Sequence, residues 1–187
     1  SYDVIKSDIE KSISIFKNQL DNNSKFFSYP FGEYSLEFKN IIQSLGFKYA
    51  FGQHSGVIDE TKDLYELPRF PINEKYGEIK RFNSLTETLP FKYKKIYPEE
   101  KYLLRGKNPP KVKIEFYENI KNLKSLSCYS NEGDQWRQSN IKFESSNTLL
   151  INISEKFVGE RGRINCSLKD PSGFWRWLGL QFVVSDK

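Results

Sequence analysis

The sequence has few of the residues that most often carry out chemistry. It holds one histidine (His54), two cysteines (Cys128 and Cys166) and no methionine in 187 residues. A single imidazole has no second histidine with which to share a metal ion, and two distant cysteines do not complete a zinc set. The cysteines are either two buried thiols or one disulfide. A disulfide would imply an oxidising compartment such as the periplasm. No apolar run approaches the roughly 20 residues of a membrane span. No secretory leader pattern precedes the first amphipathic stretch, and the absence of any methionine predicts a processed or excised chain. A dense basic stripe is also missing. The 29 basic and 24 acidic residues give a net charge of +5, spread out apart from Lys92-Tyr93-Lys94-Lys95. Such a spread describes a solvated surface with at most weak attraction to anionic glycans or envelope surfaces. It argues against nucleic-acid binding.

What is present divides at about residue 90. Ile5, Ile9, Ile13, Phe16 and Leu20 recur at spacings of three and four and predict a helix over residues 3–21, with Asp3 as its cap. A short strand follows at 25–29, then a helix capped by Ser35, a strand at 47–51, a third strand near 65–70 and a helix over 76–89. Alternating helix and strand argues for a parallel α/β arrangement. Three parallel strands make neither a closed barrel nor a covered sheet. Residues 1–89 are therefore expected to be part of a domain with further strands upstream, and to expose apolar edges when alone. Residues 90–110, punctuated by Pro90, Pro98, Pro109 and Pro110, read as a linker that packs across a neighbour. From Lys111 onward the alternation has a period of two, as in Val112, Ile114 and Phe116, with turn clusters between runs. This predicts an antiparallel sandwich-like domain over 111–187.

Polar, Gly- and Pro-rich segments sit at three expected strand ends: Tyr29-Pro30-Phe31-Gly32-Glu33, Gly52-Gln53-His54-Ser55-Gly56 and Leu67-Pro68-Arg69-Phe70-Pro71. Chemistry in α/β folds gathers at such ends. The spacing resembles the polysaccharide deacetylases of the NodB-homology type, especially the poly-N-acetylglucosamine deacetylase branch. By that resemblance, residues 1–89 match the C-terminal half of a distorted β/α barrel, and residues 107–184 its appended β-domain. The family hydrolyses acetamido groups with a divalent metal (zinc or similar) held by an Asp and a His-x3-His pair. No such pair is present here. The resemblance thus implies a fragment whose metal ligands lie outside the chain, whose partner is the N-terminal half of the same enzyme, and which is inactive by itself.

The resemblance also suggests roles for particular residues. The Phe31 N–H, set by Pro30 and Gly32, would stabilise the oxyanion. Ser28 stands where many relatives have an arginine, and Arg69 could replace it. Arg69 falls near the position of a catalytic histidine, but a guanidinium stays protonated near pH 7 and cannot be that acid. His54 could contact sugar, donate a proton or bond a loop carbonyl, with metal ligation the weakest option. Tyr29, Pro30, Gly32, Glu33, Gln53 and Asn73 are candidates for the sugar groove. Trp175 and Trp177 share a strand face and could stack on sugar or pack against the rest of the chain. The expected substrate is an amino-sugar polysaccharide of the bacterial periplasm or envelope, and a homo-oligomer is possible. The rival is a non-catalytic glycan-binding or structural envelope module that uses Trp175, Trp177, Arg161 and Arg163.

Overall fold

The computed structural model describes residues 2–104, 106–117 and 120–185. Ser1, at the start of the expected 1–89 unit, and Arg105, in the expected linker, lie outside them. So do Glu118, Asn119, Asp186 and Lys187 of the expected 111–187 unit. The chain runs through α1 (Tyr2–Leu20), β1 (Phe26–Ser28), α2 (Leu36–Ser44), β2 (Tyr49–Phe51), α3 (Ile79–Thr86), β3 (Leu89–Pro90), β4 (Tyr93–Tyr97) and β5 (Tyr102–Leu103). It continues through β6 (Val112–Phe116), β7 (Ser127–Ser130), β8 (Arg137–Gln138), β9 (Asn140–Ser145), β10 (Thr148–Asn152), β11 (Arg161–Lys169) and β12 (Trp175–Val184). The result is a mixed α/β fold with three helices, three sheets and no closed barrel among the described residues.

The N-terminal part is small because its strands are short. β1 and β2 pair in parallel over three residues each, with Phe27 opposite Ala50. Asp3, expected as the α1 cap, lies inside the first turn, where its charge suits the helix dipole, as does Lys17 in the last turn. Ile9 is the α1 residue that becomes buried. The Ser35 hydroxyl accepts from the Phe38 N–H at 3.1 Å and starts α2, which buries Ile41 and Ile42 completely. With Tyr29, Tyr34, Phe47 and Ala50 these form one apolar cluster. The strand expected at 65–70 is reduced to a parallel bridge from Leu67 to Phe51. The expected 76–89 helix contracts to α3, and Leu89–Pro90 is taken into a sheet instead.

The C-terminal part has two larger sheets. One is β4-β6-β10-β9, and the other is β3-β12-β11-β7-β8 with β5 also on β12. The alternation has a direct consequence. Val112, Ile114 and Phe116 of β6 and Leu149 and Ile151 of β10 bury the same face, with Leu149 in register with Ile114. They share one cluster with Ile164, Leu168, Leu178, Leu180 and Phe182 from the other sheet. Cys128 and Cys166 stand opposite each other across β7 and β11 and form a disulfide. Residues 90–110 do more than the expected linker. They supply β4 and β5, and Phe91, Tyr93, Ile96 and Leu103 enter the core. Their aromatic and β-branched side chains gain more by burial than the prolines cost, because the prolines fall outside β4.

The two parts are joined along β12. Leu89 pairs in parallel with Arg176, Gly56 bridges Leu178, and the Gly179 N–H donates to the Ser55 carbonyl at 2.6 Å. A Cβ at Gly179 would lie 2.6 Å from the Ser55 backbone, so only glycine lets the 52–56 loop lie against this strand. Lys62, nearly buried, reaches Asp59 at 2.6 Å and the Phe91 carbonyl at 2.7 Å, which ties the loop after β2 to the strands beyond it.

Candidate functional site

The loop after β2, the segment 69–76 and the exposed face of β11 and β12 enclose a cleft of about 690 Å³. Gln53, His54, Arg69, Asn73 and Trp177 line it. These are five of the candidate residues, drawn from three separate segments of the sequence. Two strand ends are pinned together at its base, where the Arg69 N–H donates to the His54 carbonyl at 3.0 Å. Phe70 meets Trp177 edge-on at 6.3 Å and fixes the indole. The Asn73 side chain accepts from the Tyr76 N–H at 3.0 Å and shapes the turn that forms one lip.

The other candidates surround the cleft or lie away from it. Phe31 has φ 55° in a non-glycine residue, and its ring is exposed beneath the Arg161 guanidinium, 4.9 Å away. Its N–H has no hydrogen-bond acceptor among the described residues, whereas its carbonyl accepts from Gln181 Nε2 at 3.0 Å. Gln181 Oε1 in turn accepts from Arg163 Nε at 3.3 Å, so the turn connects with the cleft wall. Gly32 has φ +70°, and a Cβ there would lie 2.4 Å from the Gln53 backbone nitrogen, so this turn requires glycine twice over. Glu33 pairs with Arg161 at 2.5 Å, which makes it a tie between the two parts of the chain. Tyr29 is buried, and its hydroxyl donates to the Tyr65 carbonyl at 3.0 Å, so it belongs to the core. Pro30 borders a different recess beside α1. Trp175 is exposed and lines a neighbouring cavity of about 250 Å³, which it shares with Trp177.

Two buried side-chain polar atoms among the described residues have no hydrogen-bond partner, His54 Nδ1 and Trp177 Nε1. Both belong to residues that line the cleft. Such atoms cost about 1–3 kcal/mol each, and each calls for an explanation beyond packing. The His54 ring packs on Gly52, where a Cβ would meet Nδ1 at 2.6 Å. Burial pushes its pKa down to about 4, and the positive charges of Lys101, Arg69 and Lys62 act in the same direction. At neutral pH the ring is therefore uncharged and is not a source of a transferable proton.

Sequence reasoning did not single out Tyr76, Arg81 and Trp136, which also line the cleft. Trp136 is 53% exposed in a polar turn, and an indole in such a setting was the available signal. Arg81 sits on α3 and is brought in by its bonds to the Pro71 and Tyr76 carbonyls. Among the described residues no group of three or more His, Cys, Asp or Glu side chains could hold a metal ion. His54, pressed on Gly52 among cations, does not fit a metal ligand either. No helix among the described residues is long and apolar enough to cross a membrane. No protein-family model matches the chain, and no curated protein matches it.

Proposed function

We propose that the cleft is a glycan-binding groove and that the chain is the sugar-binding part of a polysaccharide deacetylase of the NodB-homology type. Its substrate would be an amino-sugar polymer carrying acetamido groups. The convergence of Gln53, His54, Arg69, Asn73 and Trp177 on one cleft carries this reading. Amides and a neutral imidazole suit sugar hydroxyls, and an indole edge or face suits the apolar side of a pyranose. In this proposal the first part is the C-terminal portion of a distorted β/α barrel, and the two large sheets are its sandwich-like accessory domain. The divalent metal of the reaction would be held by residues outside this chain, in the N-terminal half of the same enzyme. The disulfide is suggestive of an oxidising compartment, which agrees with a periplasmic or envelope location.

A second reading, a non-catalytic glycan-binding or envelope module, draws support from the lining itself, which contains no Asp or Glu to act as a base. Titration with N-acetylglucosamine oligomers, followed by tryptophan fluorescence, tests the groove. The expected result is saturable binding that weakens about tenfold, or about 1.4 kcal/mol, in Trp136→Ala. Absence of binding would overturn both readings. Acetate release by the source protein with a divalent metal separates them: release supports the deacetylase, and binding without release supports the module.

A further inference from the structure

We propose that the cleft takes an acid-bearing glycan, in which a sugar ring carries a carboxylate or a phosphate ester that the arginines grip. This rests on the reading of the cleft as a glycan site and specifies its substrate class. The first observation is charge pairing. Six arginines fall among the described residues. Arg137, Arg161 and Arg176 each pair with a carboxylate, from Glu155, Glu33 and Asp170. The other three, Arg69, Arg81 and Arg163, make no ion pair among the described residues, and these three line the cleft. The shielded lysines are also provided for within the chain. Lys39 is held by Asp63 and Glu66, and Lys62 by Asp59, while Lys101 donates to the Pro98 and Glu99 carbonyls. Every arginine described outside the cleft is thus neutralised by an acid of the chain, and those of the cleft are not.

The second observation is how the three guanidiniums are presented. Arg81 spends Nη1 on the Pro71 carbonyl at 3.0 Å and the Tyr76 carbonyl at 2.7 Å. Arg163 spends Nε on Gln181. Each is anchored through one nitrogen and keeps other donors for a ligand. Arg69 makes no side-chain hydrogen bond among the described residues and is exposed. A guanidinium fork matches a carboxylate or phosphate in two parallel bonds, and pre-anchoring reduces the entropy lost on binding. The third observation is the aromatic lining. Trp136, Trp177 and Tyr76 share the cleft with the arginines. Arginines alone would suit any anion, whereas arginines interleaved with indoles and a phenol suit an anion attached to a ring. Trp177 adds an indole N–H that is buried without an acceptor.

The test compares ligands on the whole chain by calorimetry. The probes are an oligosaccharide alternating glucuronate and N-acetylglucosamine, an N-acetylglucosamine oligomer of equal length, and N-acetylglucosamine 6-phosphate beside its unphosphorylated form. A single-stranded oligonucleotide is the polyanion control. The acidic probe should bind about tenfold more tightly than its neutral counterpart. Arg69→Gln and Arg163→Gln should each remove most of that preference, weakening the acidic probe about tenfold and the neutral oligomer much less. Arg69→Lys should retain part of it, because charge survives and the fork does not. Which acidic probe shows the preference identifies carboxylate or phosphate as the group read. Equal binding of acidic and neutral oligomers would overturn the inference and leave the groove standing. Binding of neither would overturn the groove itself. Equal or tighter binding of the oligonucleotide would assign the arginines to a polyanion of another class and also overturn the inference. Arg69 has no side-chain partner to lose among the described residues, so its variants should melt as the parent does.

Discussion

The two parts of the molecule use amphipathic patterns of similar quality to very different effect. In the larger part, β6, β10, β11 and β12 each bury alternate residues in a shared cluster, and Ile114, Leu149, Ile164 and Phe182 are completely inaccessible. In the smaller part, α1 has as clear a stripe, yet its members Phe16 and Leu20 remain 38% and 62% exposed. Phe26 and Tyr49 stack on each other at 5.4 Å on the outer side of β1 and β2, also exposed. Amphipathic pattern describes what an element could bury. A partner surface decides whether it does, and two strands of three residues do not provide one.

That comparison predicts where substitutions will hurt. Phe182→Ala should cost about 3–5 kcal/mol, the most of any change considered, because it opens a cavity where both large sheets meet. Urea unfolding monitors this, and a loss near zero would mean the larger core does not carry the stability. Replacing both Cys128 and Cys166 by Ala should cost about 3–4 kcal/mol, since the bridge closes a separation of 38 residues. Reductant should lower the melting temperature of the parent and leave the variant unchanged.

His54 sits where the parts meet and offers a pH probe of the junction. Its folded pKa is pushed down to about 4, below its ordinary 6.5. Between those values the unfolded chain binds the extra proton, so stability is complete above pH 6.5 and falls as the pH drops towards 4. The loss should reach about 3 kcal/mol, and His54→Gln should flatten that part of the profile. An unchanged slope in the variant would place the titration elsewhere. The smallest effect belongs to Ile15→Ser, which should shift stability by no more than about 0.5 kcal/mol despite removing a large apolar side chain. A larger loss would show that α1 is covered in solution.

Much of the fold could be read from local chemistry. The Ser35 cap, the 3.6-residue stripe of α1 and the two-residue alternation of β6, β10 and β12 each depend on neighbours within one element. The site was legible in part for the same reason. Gln53, His54 and Arg69 follow strand ends, where loops converge, and their composition announced a turn. Residues 90–110 were harder. Their prolines signalled a break, while the burial of Phe91, Tyr93 and Ile96 depends on β6, which comes later in the chain. Tyr76 and Arg81 carry no local mark of a shared site, and the indole of Trp136 in its polar turn marks a site without saying which other elements meet there.

The sequence by itself determined which residues would be apolar on one face and that Ser35 would start α2, since these follow from side-chain volume and backbone capping over a few residues. Only the tertiary structure decided that Cys128 would meet Cys166, that Glu33 would take Arg161, and that three arginines would line one cleft without a carboxylate. Pairing across long separations is settled by register and by competition among many charged partners. Both exist only once the sheets have closed against the loop after β2.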